Sequence, residues 1–345
     1  MSSSKRKFVL IGLAVLIAIS FPVWSFIDKR REPVLLASFQ FDEKADTPIA
    51  VSPDGKILAV GGLGIKLWNV IDRNEKVLFV GKEVYSIAFS PDGRILACGD
   101  ADGEIRFWNW EEGKELAISK DEDSSAVWSM AFTVDGKCLA TTGKGNAPGS
   151  ADAVTRPGSG EVNLWDVATG KLKATLGGHK CYLVAVAISP DGTTLASADG
   201  HGYVKLWDTA TWKEKATLAG SEGGDVGIAF SPNSKTLASS AGGRVQLWDV
   251  ATGSLQARLV GRKGEIRCLS FSPDGKHLVA GCGNPPMFWK KYGHAEIWDV
   301  ETKRLISTWK ATDGWKVSSC VFIPETHSLA TGSGDGIRLW DIGGL

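Results

Sequence analysis

The chain has 345 residues, 43% of them hydrophobic, with 39 basic and 39 acidic side chains and a formal net charge of zero. That length can bury a large core. Without its first 32 residues it keeps 33 basic and 37 acidic side chains, which discounts nucleic-acid binding, a function that normally shows a basic excess.

Residues 1–32 read as a segment of their own, ahead of a domain over 33–345. Lys5-Arg6-Lys7 precede twenty uncharged residues, 8–27, from Phe8 to Ile27. As a helix rising ~1.5 Å per residue, this run spans roughly the 30 Å of a bilayer's hydrocarbon. Trp24 stands where an interfacial anchor would, and Asp28 to Glu32 end the run. The expectation is a single-pass signal-anchor helix. A cleaved signal peptide stays open, because Pro22 shortens the apolar core to 8–21. Ala18-Ile19-Ser20 and Val23-Trp24-Ser25 also offer small residues for cleavage. Basic residues number three on each side of the helix. The chain's own amino group tilts the balance toward the domain facing out of the cytoplasm. Cleavage would make the protein secreted or periplasmic.

From residue 34 onward one unit repeats. Seven apolar runs end in Trp-Asp or Trp-Asn: GIKLWNV (64–70), EIRFWNW (104–110), EVNLWDV (161–167), YVKLWDT (203–209), RVQLWDV (244–250), HAEIWDV (294–300) and GIRLWDI (336–342). Their tryptophans lie 40, 57, 42, 41, 50 and 42 residues apart, a period near 41 with two insertions. Alternation such as Val204, Lys205, Leu206, Trp207 has the period of a strand. Upstream of most copies stands Ser-Pro-Asp-Gly, intact at 52–55, 90–93, 189–192 and 272–275. Proline presets φ and Asp-Gly makes a tight turn, so the motif predicts a hairpin loop. A small-residue strand, the Trp strand and an outer strand follow. Four antiparallel strands per repeat make a propeller blade.

These motifs resemble the WD-repeat β-propellers, of bacterial type, and the resemblance covers 34–342. It implies an all-β fold, a seven-bladed propeller of four-stranded antiparallel blades. Blade seven lacks an outer strand, since only three residues follow its Trp strand. Leu35-Leu-Ala-Ser-Phe39 resembles the outer strands 172–176 and 255–259, and is expected to fill the gap and close the ring. Many members of the family resemble one another in a buried His–Ser/Thr–Asp–Trp network. Here only Gly178-His179 keeps the Gly-His pair. The aspartate six residues before the Trp survives at Asp102 but is His201, Gly242 and Gly334 elsewhere. The ring is expected to rest mainly on apolar packing.

No catalytic constellation stands out, so the protein reads as a non-enzyme without metal or cofactor. The six cysteines, Cys98, Cys138, Cys181, Cys268, Cys282 and Cys320, form no CxxC pair and read as buried thiols. Gly143-Lys-Gly145 lacks phosphate-loop spacing. Asp100-Ala-Asp102-Gly103 lacks the glycine a calcium loop needs, since Ile105 takes its place.

Function should reside on a rim. Insertions at 143–160 and 282–293 fall between the second and third strands of blades three and six, at the end the family uses as its top face. The inner strands align on the apolar residue before the turn. Four positions earlier stand Thr47, Tyr85, Trp128, Val184, Val226, Arg267 and Ser318, a position that commonly lines the top funnel in this family. The expected partner-binding residues are Tyr85, Trp128, Arg267, Phe288, Trp289 and Trp315. The expected function is a membrane-tethered scaffold for a protein or peptide partner. A channel-mouth enzyme and a purely structural subunit of a membrane assembly are the alternatives. Trp110 and Trp212, in turns after the Trp strand, hint at a bottom-face role or at local packing.

Overall fold

The computed structural model describes residues 32–40, 47–120, 126–143, 160–220, 227–241, 243–261, 264–283 and 292–343. The apolar run 8–27 lies outside them. Among the described residues no helix is long and apolar enough to cross a membrane. All of the regular structure there is strand, from β1 (Val34–Gln40) onward.

One six-stranded antiparallel sheet comprises β2 (Ile49–Val51), β3 (Ile57–Asn69), β4 (Glu75–Phe89), β5 (Ile95–Asp100), β6 (Glu104–Asn109) and β7 (Lys114–Lys120). Three four-stranded sheets follow in chain order. The first holds β8 (Met130–Phe132), β9 (Cys138–Gly143), β10 (Glu161–Asp166) and β11 (Leu172–Leu176). The second holds β12 (Leu183–Ile188), β13 (Thr194–Asp199), β14 (Val204–Asp208) and β15 (Glu214–Leu218). The third holds β16 (Ile228–Phe230), β17 (Thr236–Ala241), β18 (Arg244–Asp249) and β19 (Leu255–Val260). A fourth is β20 (Glu265–Phe271), β21 (His277–Gly283), β22 (His294–Asp299) and β23 (Leu305–Lys310). The last is β24 (Ser319–Phe322), β25 (Ser328–Ser333) and β26 (Gly336–Asp341), completed by β1. The amino-terminal strand therefore does pair with the carboxy-terminal one, from Val34 opposite Asp341 to Gln40 opposite Gly336. That covers an edge that would otherwise invite strand addition. The first strands of the units touch in the order β2, β4, β8, β12, β16, β20, β24 and back to β2.

The repeat motifs work locally. In the Ser-Pro-Asp-Gly turn, Ser52 Oγ donates to Asp54 at 2.6 Å and accepts from the Ile57 amide at 2.9 Å. Gly55 takes φ +72°, the left-handed region that disfavours a Cβ. Ser90, Ser189 and Ser272 repeat the bond to Asp92, Asp191 and Asp274. The Trp-Asp pair divides its labour. Asp166, Asp208, Asp249 and Asp299 accept from the amide three residues on, capping the next turn. Hydrogen bonds from Thr169 and Thr211 hold the Asp166 and Asp208 carboxyls below the usual aspartate range. The tryptophans of the four-stranded sheets each pack on the sheet before. Trp207 joins Leu164 and Leu176, and Trp298 joins Val245 and Leu247. Trp68 packs beside Phe39 of β1, with ring centroids 4.4 Å apart.

The expected erosion of the polar network needs correction in the β12–β15 sheet. His179 Nε2 lies 2.7 Å from Ser197 Oγ and Nδ1 lies 3.1 Å from Asp199, while Trp207 Nε1 donates to the same Ser197 at 2.8 Å. The network is complete in this sheet. Its aspartate stands eight residues before the Trp, because it also caps the turn through the His201 and Tyr203 amides. By the same geometry the buried aspartate of β5 is Asp100. Asp102 is 64% exposed in its side chain and pairs with Lys82 at 3.1 Å. Near β26 the aspartate is Asp335, bonded by Thr312 and Ser333. Tryptophan-to-hydroxyl bonds also link Trp165 to Thr141, Trp248 to Ser239 and Trp340 to Thr331, all at 2.9 Å.

Five of the six thiols are buried and Cys268 is half-buried. Burial pushes the Cys98 thiol up to about 12, so it behaves as an inert core group. Trp110 donates to the Gly93 carbonyl at 2.7 Å and packs edge-on to Phe89, and Trp212 joins the cluster of Trp207. Both pack locally.

Candidate functional site at the mouth of the central cavity

The ring of first strands encloses a cavity of about 570 Å³. Its wall includes Tyr85, Trp128, Val184, Arg267 and Ser318. Five of the seven positions chosen by sequence alignment thus lie on the cavity. Two exceptions stand out. Val226 is outside the described residues. Thr47 is buried, donating through Oγ1 to the Ser333 carbonyl at 2.9 Å, and Pro48 and Ile49 line the cavity in its place. Proline cannot donate to the ladder, so strand β2 starts late and shifts the lining by a residue.

β-Bulges explain why three of these residues face the cavity. Val84 pairs with Asp100 and Ser86 with Gly99, which leaves Tyr85 as the extra residue. Val184 is skipped between Leu183 and Ala185, and Arg267 between Ile266 and Cys268. A bulge kinks the strand and re-aims one side chain without disturbing the ladder beyond it. Trp128 reaches the same level differently. It precedes β8, and the amides of Trp128 and Ser129 both donate to Thr142 Oγ1, at 3.0 and 3.2 Å.

At four mouth positions the next residue ties one sheet to the next. Ser86 Oγ donates to the Val127 carbonyl at 2.7 Å, and Ser319 Oγ to the Thr47 carbonyl at 2.6 Å. Ser129 Oγ accepts from the Val186 amide at 3.1 Å, and Cys268 Sγ lies 3.9 Å from the Val317 carbonyl. These bonds hold the mouth rigid, which lowers the entropic cost of binding there.

Tyr85 and Trp128 stack face to face, with centroids 4.6 Å apart and planes 4° from parallel. Tyr85 donates its hydroxyl to Glu83 at 3.0 Å. Arg267 sits three strands round the ring from both, and Glu265 pairs with it at 3.2 Å. Lys316 also lines the cavity, a residue the alignment passed over because it precedes β24.

The other expected site residues separate. Trp315 is 61% exposed and absent from the cavity wall. Its neighbour Lys316 bridges to Gly283, at the stem of the 282–293 insertion. Two backbone bonds, from Gly293 to the Gly314 carbonyl and from Val317 to the Cys282 carbonyl, fasten that stem to the loop before β24. Phe288 and Trp289 lie outside the described residues. So does most of the 143–160 insertion. Among the described residues no cluster of histidine, cysteine and carboxylate could hold a metal ion.

A family model described as "WD domain, G-beta repeat" matches residues 75–109, 170–208, 212–249, 253–284 and 303–341, more than half of the chain. The tryptophan copies at Trp68, Trp165 and Trp298 fall outside these stretches. The last two follow the 143–160 and 282–293 insertions. A search of curated proteins returned no match. With these matched repeats, four-stranded antiparallel sheets and tryptophans packed from sheet to sheet, the chain belongs to the WD40-repeat family.

Proposed function

We propose that the protein is a non-catalytic, seven-bladed WD40 scaffold of bacterial type that holds a protein or peptide partner at the mouth of its central cavity. WD40-repeat proteins are typically non-enzymatic interaction scaffolds. The blade count rests on reading the six-stranded sheet as two blades. There β3 runs through both the small-residue strand and the Trp68 strand, and β4 continues from an outer strand into an inner one. The observation that carries the function is the stacked Tyr85–Trp128 pair facing Arg267 across a preformed cavity. Aromatic and arginine side chains dominate interface energies. Phe288, Trp289 and Trp315 extend the same surface in this proposal.

Proximity labelling from the propeller in its native cells would identify neighbours and compartment. Trp128→Ala is then expected to weaken capture of the labelled partner by ~2–4 kcal/mol, roughly thirty- to nearly thousand-fold. Melting should stay at the parental value, because Trp128 is no repeat residue. Full-strength capture by a folded Trp128→Ala variant would remove the cavity mouth from the binding site.

The scaffold is proposed to be tethered by residues 8–27, with the propeller outside the cytoplasm. The full chain should then resist alkaline carbonate extraction. A mature protein beginning just after Ser20 or Ser25 would instead establish a cleaved signal. A second reading, a structural subunit of a membrane assembly, draws on the exposed Val34, Leu35 and Leu36 of β1 and Leu116 and Ile118 of β7. It predicts labelled neighbours that persist in Trp128→Ala.

A further inference from the structure

The first strands of the sheets share a pattern, and two neighbours break it. The position after the mouth residue holds Pro48, Ser86, Ser129, Ala185, Gly227 or Ser319, but in β20 it holds Cys268. The next position holds Ile49, Ile87, Met130, Val186, Ile228 or Leu269, but in β24 it holds Cys320. β20 and β24 stand side by side in the ring. We infer that Cys268 and Cys320 form a redox-active dithiol, bridged by exchange with a small-molecule disulfide that enters through the cavity.

Packing turns the two thiols toward each other. Cys268 Sγ reaches forward to the Val317 carbonyl at 3.9 Å, as Ser86 Oγ reaches Val127. Cys320 faces back, packed with Val279 of β21 and with Cys268 itself. A hydrogen bond joins the two side chains. Cys282 is a bystander. It stands opposite Ile266 and packs into the other interface, with Val245 and Leu247.

The two thiols differ in access. Cys268 is half-buried on the cavity wall, whereas Cys320 is buried and absent from that wall. Cys268 is therefore the entry thiol. Its thiolate attacks one sulfur of the reagent, expels a thiolate and leaves a mixed disulfide. The Cys320 thiolate then attacks Cys268 Sγ, closes the protein bridge and expels the second thiolate. Two electrons pass from the pair to the reagent, and the two protein protons end on two reagent thiols. Burial and the adjoining Cys320 raise the Cys268 thiol well above the usual thiol range. The attacking thiolate is thus scarce and exchange is slow. An oxidising compartment supplies such disulfides and a reducing one removes them, so the state of the pair follows the compartment.

The test uses the full chain in mild detergent, first reduced, then held overnight with glutathione disulfide, alkylated and mapped by mass spectrometry. The parent should lose two of its six thiols and yield one linked peptide pair, Cys268 to Cys320. The bridged form should melt above the reduced form, because a cross-link restricts the unfolded chain, and dithiothreitol should reverse the shift. Two variants carry residues that the repeat uses at the same positions elsewhere. Cys320→Val should stop at one glutathione on Cys268, and Cys268→Ser should leave Cys320 unmodified. Cys282→Ser should bridge as the parent does. Six thiols remaining in the parent, a glutathione retained on its Cys268, or a linkage through Cys282 overturns the proposal. The parent's peptide map decides by itself where a variant fails to fold.

Discussion

The sheets β12–β15 and β20–β23 share a repeat and differ in what fills it. In the first, Ser197 receives Trp207 and His179, and His179 reaches Asp199. In the second, the residue in register with Ser197 is Ala280. Leu195 pairs with Trp207 two residues before Ser197, as Leu278 pairs with Trp298 two residues before Ala280. Trp298 is buried with no acceptor for its indole N–H among the described residues. The second sheet also buries His294 and Glu296, 3.5 Å apart. What it has in exchange is backbone tied to the next blade, from Gly293 to Gly314 and from Val317 to Cys282. A blade can thus be held by its own polar core or by its neighbour. The mouth shows the complementary lesson. Both first strands bulge at the same place, yet one presents Val184 and the other Arg267. The backbone device is structural, and the residue it aims is left to function.

Making the first sheet resemble the second is the larger perturbation. Ser197→Ala strips the partner from Trp207 Nε1 and from His179 Nε2, both buried. Each orphaned group costs about 1–3 kcal/mol, so a loss of about 2–6 kcal/mol is expected, read as a lower denaturant midpoint at unchanged m-value. A variant that melts like the parent would show that this blade does not need its polar core.

Much of the architecture was legible in the residues. The Trp-Asp runs, the Ser-Pro-Asp-Gly turns and the missing outer strand are local signals, and each corresponds to a strand, a turn or the β1–β26 closure. Alignment on the apolar residue before the turn also brought Tyr85, Trp128 and Arg267 to one cavity. What escaped depends on register and contact. Asp199 stands away from the family's aspartate position, because it was placed by the turn it caps as well as by His179. Thr47 was displaced by Pro48, whose missing amide delays β2. Trp315 belongs to the right loop but points to solvent, since the bridge between Gly283 and Lys316 fixes the loop's course. The bulges left no mark that a period of two could reveal.

The reverse change makes the second sheet resemble the first, and its effect should be smaller and opposite in sign. Ala280→Ser would set a hydroxyl where Ser197, Ser239 and Thr331 already accept from their tryptophans. The register around Ala280 matches theirs, so the geometry needs no new backbone. A satisfied buried N–H contributes about 0.5–1.5 kcal/mol. Against it stands the cost of fitting one more atom beside a fully buried Ala280. A net gain of up to ~1 kcal/mol is expected, measured as a raised denaturant midpoint. The indole should also show it directly, through slower hydrogen exchange at Trp298 Nε1. A lower midpoint together with unchanged exchange would mean that the hydroxyl finds no partner. Trp298 would then be held by Val245 and Leu247 in a pose that the polar repeat does not reach.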